Sequence, residues 1–152
     1  MSCAVADQLR VPGVPFPLVP SAEGLWRVSA ATLLGDVPEG DFQLSARVTV
    51  GFASTFDAGV LLLWRDERRW GKLCFEFSPA GEPMVVSVVC RGVCDDANAF
   101  TVRGRSAWLR VSRIDRVYAY HASLDGRPWQ MIRVFALGTG APRRRSPRSS
   151  GA

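Results

Sequence analysis

The feature that most constrains the fold is a strict alternation of apolar and polar residues from Phe42 to Val50. The segment FQLSARVTV places an apolar side chain at every second position. Successive side chains of a β-strand point to opposite faces, so this pattern predicts a strand with one dry face and one wet face. No stretch of ten residues shows a helical period, and the pattern therefore favours a sheet protein.

Further segments have the length and composition of strands, and turn-forming residues such as Asp125-Gly126 separate them. They are Leu25–Leu34, Ala58–Arg65, Trp70–Phe77, Met84–Arg91, Ala107–Arg113, Arg116–Leu124 and Pro128–Leu137. Short strands at this spacing predict an all-β fold, an antiparallel sandwich or barrel. The Ala58–Trp64 run lacks alternation, and we expect it to be a central strand covered on both faces.

The chain divides into three predicted regions. Residues 1–24 form a proline-rich arm, residues 25–137 the β-sandwich domain, and residues 138–152 an Arg/Ser-rich tail that is expected to be disordered. The net charge is +5, and four of the 19 basic residues lie at positions 143–148. The body is therefore nearly neutral, which argues against a specific nucleic-acid partner. The apolar runs are too short for a membrane span.

Four cysteines, at positions 3, 74, 90 and 94, show no zinc-ligand spacing, and the chain has one histidine. Cys90 and Cys94 could meet across a turn, although closing so short a loop would stabilise the fold little. The N-terminus lacks the pattern of a signal peptide. We expect reduced thiols and a cytoplasmic protein.

Six motifs in order resemble those of the regulation-of-enolase-like family, a group of concanavalin A-like sandwich domains of unknown function. The motifs are Asp41–Val48, Asp57–Val60, Trp70 with Lys72 and Glu76-Phe77, Val89–Gly92 with Asp95-Asp96, Ala107–Val111, and Ser123–Gly126 with Trp129. The resemblance covers roughly Leu25 to Leu137. It implies a jelly-roll-like sandwich of two antiparallel sheets.

The chain departs from this family at its C-terminus. The family continues after the Trp129 strand with a Gly-rich turn and a closing strand, where this chain has its arginine-rich tail. The resemblance thus implies a sandwich that lacks a closing strand. Such a sandwich would either associate with another chain, or itself, at the C-terminal edge, or be a shortened relative of marginal stability.

Residue patterns for catalysis and cofactors are mostly missing. Glucanases on the concanavalin A-like scaffold place three carboxylates on one strand at Glu-x-Asp-x-x-Glu spacing, and no such run occurs. His121 lies within a strand without a nucleophile turn. Asp95-Asp96-Ala97-Asn98 is a candidate calcium loop, which solubility explains equally well. The sequence predicts no enzyme activity, no cofactor and no metal.

One set of residues suits a binding face, because aromatic side chains accompany charged ones. On Trp70–Phe77, Leu73, Phe75 and Phe77 are predicted to enter the core, with Trp70, Lys72 and Glu76 on the opposite side. Together with Trp108, Arg110 and Tyr120, and with Asp57 at the rim, these residues would form one ligand-binding face. The competing interpretation is that Trp70 and Trp108 only fill gaps between the sheets.

These observations predict a non-catalytic β-sandwich binding module, and the resemblance to the scaffold makes carbohydrate the favoured ligand class. One alternative is a structural or regulatory protein-interaction domain that uses an open sheet edge. A glycan-processing enzyme is a third interpretation, which the missing carboxylate array disfavours.

Overall fold

The computed structural model describes residues 39–138. The arm of residues 1–24, the strand predicted at Leu25–Leu34 and the tail beyond residue 138 lie outside the described residues. Within residues 39–138 no helix is long and apolar enough to cross a membrane.

The described residues form strands only, and the all-β prediction is confirmed. The strands are β1 (Phe42–Thr49), β2 (Ala58–Asp66), β3 (Arg69–Phe77), β4 (Pro83–Arg91), β5 (Cys94–Thr101), β6 (Ser106–Ile114), β7 (Val117–Ser123) and β8 (Gln130–Phe135). Sheet A has the order β2-β3-β4-β5, and sheet B has the order β1-β6-β7-β8. Every described strand pair is antiparallel.

The two sheets bury one face each against the other, as in a β-sandwich. Strands β1 and β6 lie against β2 and β3, and β8 lies against β4. The largest side chains between the sheets are Tyr120, Phe75, Leu73 and Leu109, all fully buried. Each buried residue of this size stabilises the fold by about 1.5–3 kcal/mol.

Strand β5 is a strand that the sequence patterns did not predict. Its residues are almost all exposed, and it pairs with β4 at one edge of the described part of sheet A. Its backbone is held by the ladder to β4 rather than by an apolar face, so no alternation marks it. One of its acidic residues, Asp95, forms an ion pair with Arg133 of β8 and joins the two sheets at this side.

The predicted central position of Ala58–Trp64 is wrong for the described part of the chain. There β2 pairs with β3 alone, and the central strands of sheet A are β3 and β4. Burial alternates along β2, with Gly59, Leu61 and Leu63 facing the core. The residues between them are also apolar, and this concealed the alternation in the sequence.

Gly59 allows the two sheets to approach at β1. A Cβ atom built on Gly59 would collide with Cγ1 of Val48, which is itself 1% exposed. Valine is stiff at χ1, so its side chain has little freedom to move aside.

We expect Gly59→Ala to lower the free energy of unfolding by about 1–3 kcal/mol through overpacking. Urea unfolding followed by circular dichroism measures this. Gly51→Ala is the matched control, because a Cβ atom there meets nothing within 4 Å. If the two variants were equally stable, the close approach of Gly59 to Val48 would not contribute to the stability of the fold.

Candidate functional site

Three of the predicted site residues share the outer face of sheet A. Trp70, Lys72 and Glu76 alternate on β3 with Leu73 and Phe75, which are fully buried in the core. The sequence prediction for this strand is confirmed in that respect. We call this surface the Trp70 face, and it consists of Trp64, Trp70, Lys72, Cys74, Glu76, Val86, Val88, Cys90, Cys94 and Asp96.

The strand register determines how these residues are arranged. Trp70 lies directly opposite Trp64 of β2 on one side and Cys90 of β4 on the other. Lys72 lies opposite Val88, which in turn lies opposite Asp96 of β5. Directly opposite side chains on one face of a sheet are about 4.5–5.5 Å apart at Cβ, so both rows bring their members into contact range.

The centre of the Trp70 face is apolar and closed to solvent. Cys74 is fully buried, and Val86, Val88 and Cys90 are between 3% and 6% exposed. Trp64, by contrast, is 42% exposed at the margin. The face therefore has a dry floor and a rim of aromatic and charged side chains.

A small groove of about 60 Å³ opens on this face. It is lined by Trp70, Lys72, Val88, Cys94 and Asp96. Pockets that enclose a small molecule usually measure about 300–1,000 Å³. The groove is therefore a shallow recess at the margin of a face whose centre is closed to solvent.

Charges of both signs lie on the Trp70 face. Burial raises the pKa of Glu76 above its usual value of 4.5, the Lys72 ammonium opposes that rise, and the Asp96 carboxylate adds to it. A partly buried carboxylate with incomplete charge compensation gains most from a hydrogen-bond donor on a ligand.

Trp108 and Arg110 lie on the other side of the molecule, and their predicted place beside Trp70 is wrong. Both are on the outer face of sheet B, where Trp108 is opposite Arg47 and Arg110 is opposite Ser45. Alternation told us which side of its strand each residue takes, but not the sheet to which the strand belongs.

Arg110 already has partners on sheet B. Its Cζ atom lies 3.5 Å from the centroid of the Trp129 ring, and its Nε donates a hydrogen bond of 2.9 Å to Ser45 Oγ. These contacts hold the guanidinium over the indole ring, as in a cation–π pair.

Tyr120 and Asp57 are buried, so their predicted exposure on a ligand face is also wrong. Tyr120 is fully buried between the sheets, with its ring 4.7 Å from that of Phe135. Asp57 is 2% exposed, and its Oδ2 accepts hydrogen bonds from the backbone amides of Ala53 and Ser54. Its carboxylate organises the loop between β1 and β2.

Trp64, Cys94 and Asp96 belong to the Trp70 face, and sequence reasoning missed them. Trp64 and Trp70 flank a short connection, so treating these strands as a hairpin would have paired the two indoles. Cys94 and Asp96 were missed because β5 carries no apolar alternation.

The candidate calcium loop is part of this strand, where Asp95 is opposite the core residue Val89 and Asp96 is opposite Val88 on the outer face. The described residues contain no cluster of three metal-ligating side chains.

The outer face of sheet B carries a wider depression of about 630 Å³. Its lining residues are Asp41, Phe42, Gln43, Ser112, Arg113, Ile114, Val117, Ala119, His121, Met131 and Val134. His121 is opposite Arg110, and its Nδ1 atom is buried without a hydrogen-bond partner among the described residues. Burial lowers the pKa of His121 below 6.5, and the charge of Arg110 lowers it further.

Comparison with known proteins agrees with this architecture. Residues 19–146 match the family described as "Protein of unknown function (DUF1349)". The chain belongs to this family, which has the concanavalin A-like sandwich fold. No curated protein matches the chain.

A solved structure is similar to this one. It is the crystal structure of a functionally unknown protein from Saccharomyces cerevisiae, with 28% sequence identity and a TM-score of 0.59. The match covers 66% of this chain and 55% of that chain. The chain thus spans little more than half the length of this relative.

We expect the single histidine of the chain to titrate below pH 6.5, because burial and Arg110 both oppose its protonation. The unfolded chain therefore binds a proton at His121 more tightly than the folded chain does. The neutral imidazole contributes its full share to the stability of the fold above pH 6.5. That contribution is lost as the pH falls through the folded pKa. The imidazole proton resonance, followed by NMR, reports the midpoint directly.

Replacing Arg110 with Gln removes the nearby positive charge and should raise this midpoint toward 6.5. Arg47→Gln, on the same face, is the control. A His121 midpoint above 6.5 in the unmodified protein would contradict the assigned surroundings.

Proposed function

We propose that this chain is a non-catalytic binding module that holds carbohydrate on the Trp70 face. The observation that carries the proposal is that Trp70, Lys72 and Asp96 line one groove. Glu76 lies on the same strand, β3, as Trp70 and Lys72. This combination is suited to a sugar ring, since its C–H face stacks on an aromatic ring while its hydroxyls bond to charged groups.

The shape of the face supports an extended ligand. The groove is too small to enclose a monosaccharide, but half-buried aromatic and charged side chains follow one another along β3 from Trp70 to Glu76. Six residues of a strand span about 20 Å, enough for several sugar units. A dry floor strengthens the hydrogen bonds made at its margin.

The backbone spacing of Glu76 and Asp96 differs from that of the closely paired carboxylates of a retaining glycosidase. Asp96 is in register with Lys72, which lies four residues, or about 13 Å, along the strand from Glu76. A retaining glycosidase needs its two carboxyl groups about 5–5.5 Å apart.

The narrower family assignment and the location belong to the same proposal. The motifs around Asp57, Trp70 and Trp129 support a place in the regulation-of-enolase-like group. Cys90 and Cys94 are free thiols. Free thiols are typical of proteins in a reducing compartment, which supports a cytoplasmic location.

We expect a glycan that binds this face to change tryptophan fluorescence, and Trp70→Ala to abolish the change through loss of the stacking surface. A panel of soluble oligosaccharides at millimolar concentration is the measurement. Lys72→Met should weaken binding by about tenfold, the value of one hydrogen bond to a charged group.

Trp129→Phe is the matched control, because it alters an indole on the opposite sheet while retaining a ring under Arg110. Loss of binding in this variant but not in Trp70→Ala would move the site to sheet B. Turnover of a glycan that disappears in Glu76→Gln would contradict the non-catalytic assignment.

A second candidate function, protein interaction, is supported by the exposed apolar residues on sheet B. Ile114 is 67% exposed, Met131 60%, Val134 53% and Val117 47%. They lie around the wider depression, and β8 is at one edge of the described part of that sheet. Exposed apolar patches of this kind are typical of contact surfaces.

If this surface binds protein, we expect the purified chain to associate as its concentration rises. Light scattering coupled to size-exclusion chromatography measures the mass, and Met131→Glu with Val134→Glu should return it to that of a monomer. Trp70→Ala, on the other sheet, should leave association unchanged. A monomer at all concentrations would argue against self-association.

A further inference from the structure

Two thiols face each other across the β4–β5 hairpin. Cys90 and Cys94 are directly opposite residues in the antiparallel ladder, and only three residues connect them. Both are free cysteines in the described structure. Neither the binding proposal nor the protein-interaction proposal uses them.

The backbone geometry at this pair is the kind that a disulfide bridges. The Arg91 amide donates a hydrogen bond of 3.0 Å to the Val93 carbonyl. Hydrogen-bonded and non-hydrogen-bonded pairs alternate along an antiparallel ladder, so Cys90 and Cys94 form a non-hydrogen-bonded pair. The Cα atoms of such pairs are about 4.5 Å apart, within the range of 4.4–6.8 Å that disulfides span.

The surroundings of the two sulfur atoms differ. Cys90 is 4% exposed, whereas Cys94 is partly exposed and lines the groove beside Trp70. Burial and a side-chain hydrogen bond with Cys90 together raise the pKa of Cys94 to about 11, and burial is the larger cause. This contact places the two side chains side by side on the Trp70 face.

We propose that Cys90 and Cys94 are a reversible thiol–disulfide site, oxidised by a low-molecular-weight disulfide such as oxidised glutathione. This inference goes beyond the proposed function and does not depend on which ligand the Trp70 face binds. The site lies in the row that contains Trp70, so its oxidation state alters one wall of the groove.

The exchange proceeds in two balanced steps. The Cys94 thiolate attacks one sulfur of oxidised glutathione, which forms a mixed disulfide and releases one glutathione thiolate. The Cys90 thiolate then attacks the Cys94 sulfur, which forms the intramolecular disulfide and releases the second glutathione. The two thiol protons end on the two glutathione molecules, so the protein is oxidised and glutathione is reduced by two electrons.

The test uses the full chain, incubated overnight with oxidised glutathione, then denatured, alkylated and digested with trypsin. Cleavage after Lys72, Arg91 and Arg103 separates residues 73–91 from residues 92–103. We expect these two peptides to be joined by a disulfide, and the protein to lose two of its four alkylatable thiols. Reduced glutathione should restore both thiols.

Variants identify the cysteines involved. Cys74→Ser should retain the joined peptides, Cys94→Ser should lose them, and Cys90→Ser should accumulate a glutathione adduct at Cys94. Unlinked Cys90 and Cys94 after exposure to oxidised glutathione alone would overturn the proposal, as would a principal linkage through Cys74 or Cys3. Peptide 73–91 contains both Cys74 and Cys90. Fragmentation of the joined peptides by tandem mass spectrometry therefore assigns the bond to one of them in the unaltered chain, which decides the question even where a variant fails to fold.

Discussion

The rest of the structure depends on the close contact of two four-stranded sheets, each of which must bury one face. Gly59 marks where that contact is closest, because the side chain of Val48 occupies the space that a Cβ atom would need. Gly71 has the same role further along sheet A, where a Cβ atom would lie 2.7 Å from the Tyr120 hydroxyl. Once these approaches are made, the inward positions of β3, β6 and β7 are buried, and the positions between them face outward.

The strands could be predicted where alternation is visible. The segment from Phe42 to Val50 corresponds to β1 almost residue for residue, and the Asp125-Gly126 turn lies between β7 and β8, with Gly126 at a φ of 83°. Strand β5 could not be predicted in this way. It is held by its backbone ladder to β4 and by the Asp95–Arg133 ion pair, and neither contact leaves a periodic signal in the sequence.

The candidate site could be predicted only within single strands. Trp70, Lys72 and Glu76 share a face because they are separated by even numbers of residues on β3. Trp108 has the same local pattern, but β6 belongs to sheet B, and its side chain faces the opposite side of the sandwich. Tyr120 shows a further limit of sequence-based prediction. A tyrosine has an apolar ring and a polar hydroxyl, so it is suited equally to a core and to a binding surface. Strand-to-sheet assignment is a long-range property, and a local period does not contain it.

The same sandwich gives its two outer faces different chemistry. On sheet A, Cys74, Val86, Val88 and Cys90 make the middle of the outer face as dry as a core, although it lies on the far side of the sheet from the main core. Burial leaves the Glu76 carboxylate, at the margin of this dry floor, poorly solvated, which its raised pKa reflects. A ligand hydroxyl that donates a hydrogen bond to Glu76 therefore replaces weak solvation of that carboxylate. A ligand would gain less at Arg110 on sheet B, because Trp129 and Ser45 already interact with its guanidinium. On physical grounds, the Trp70 face is the side of the molecule where binding has more free energy to gain.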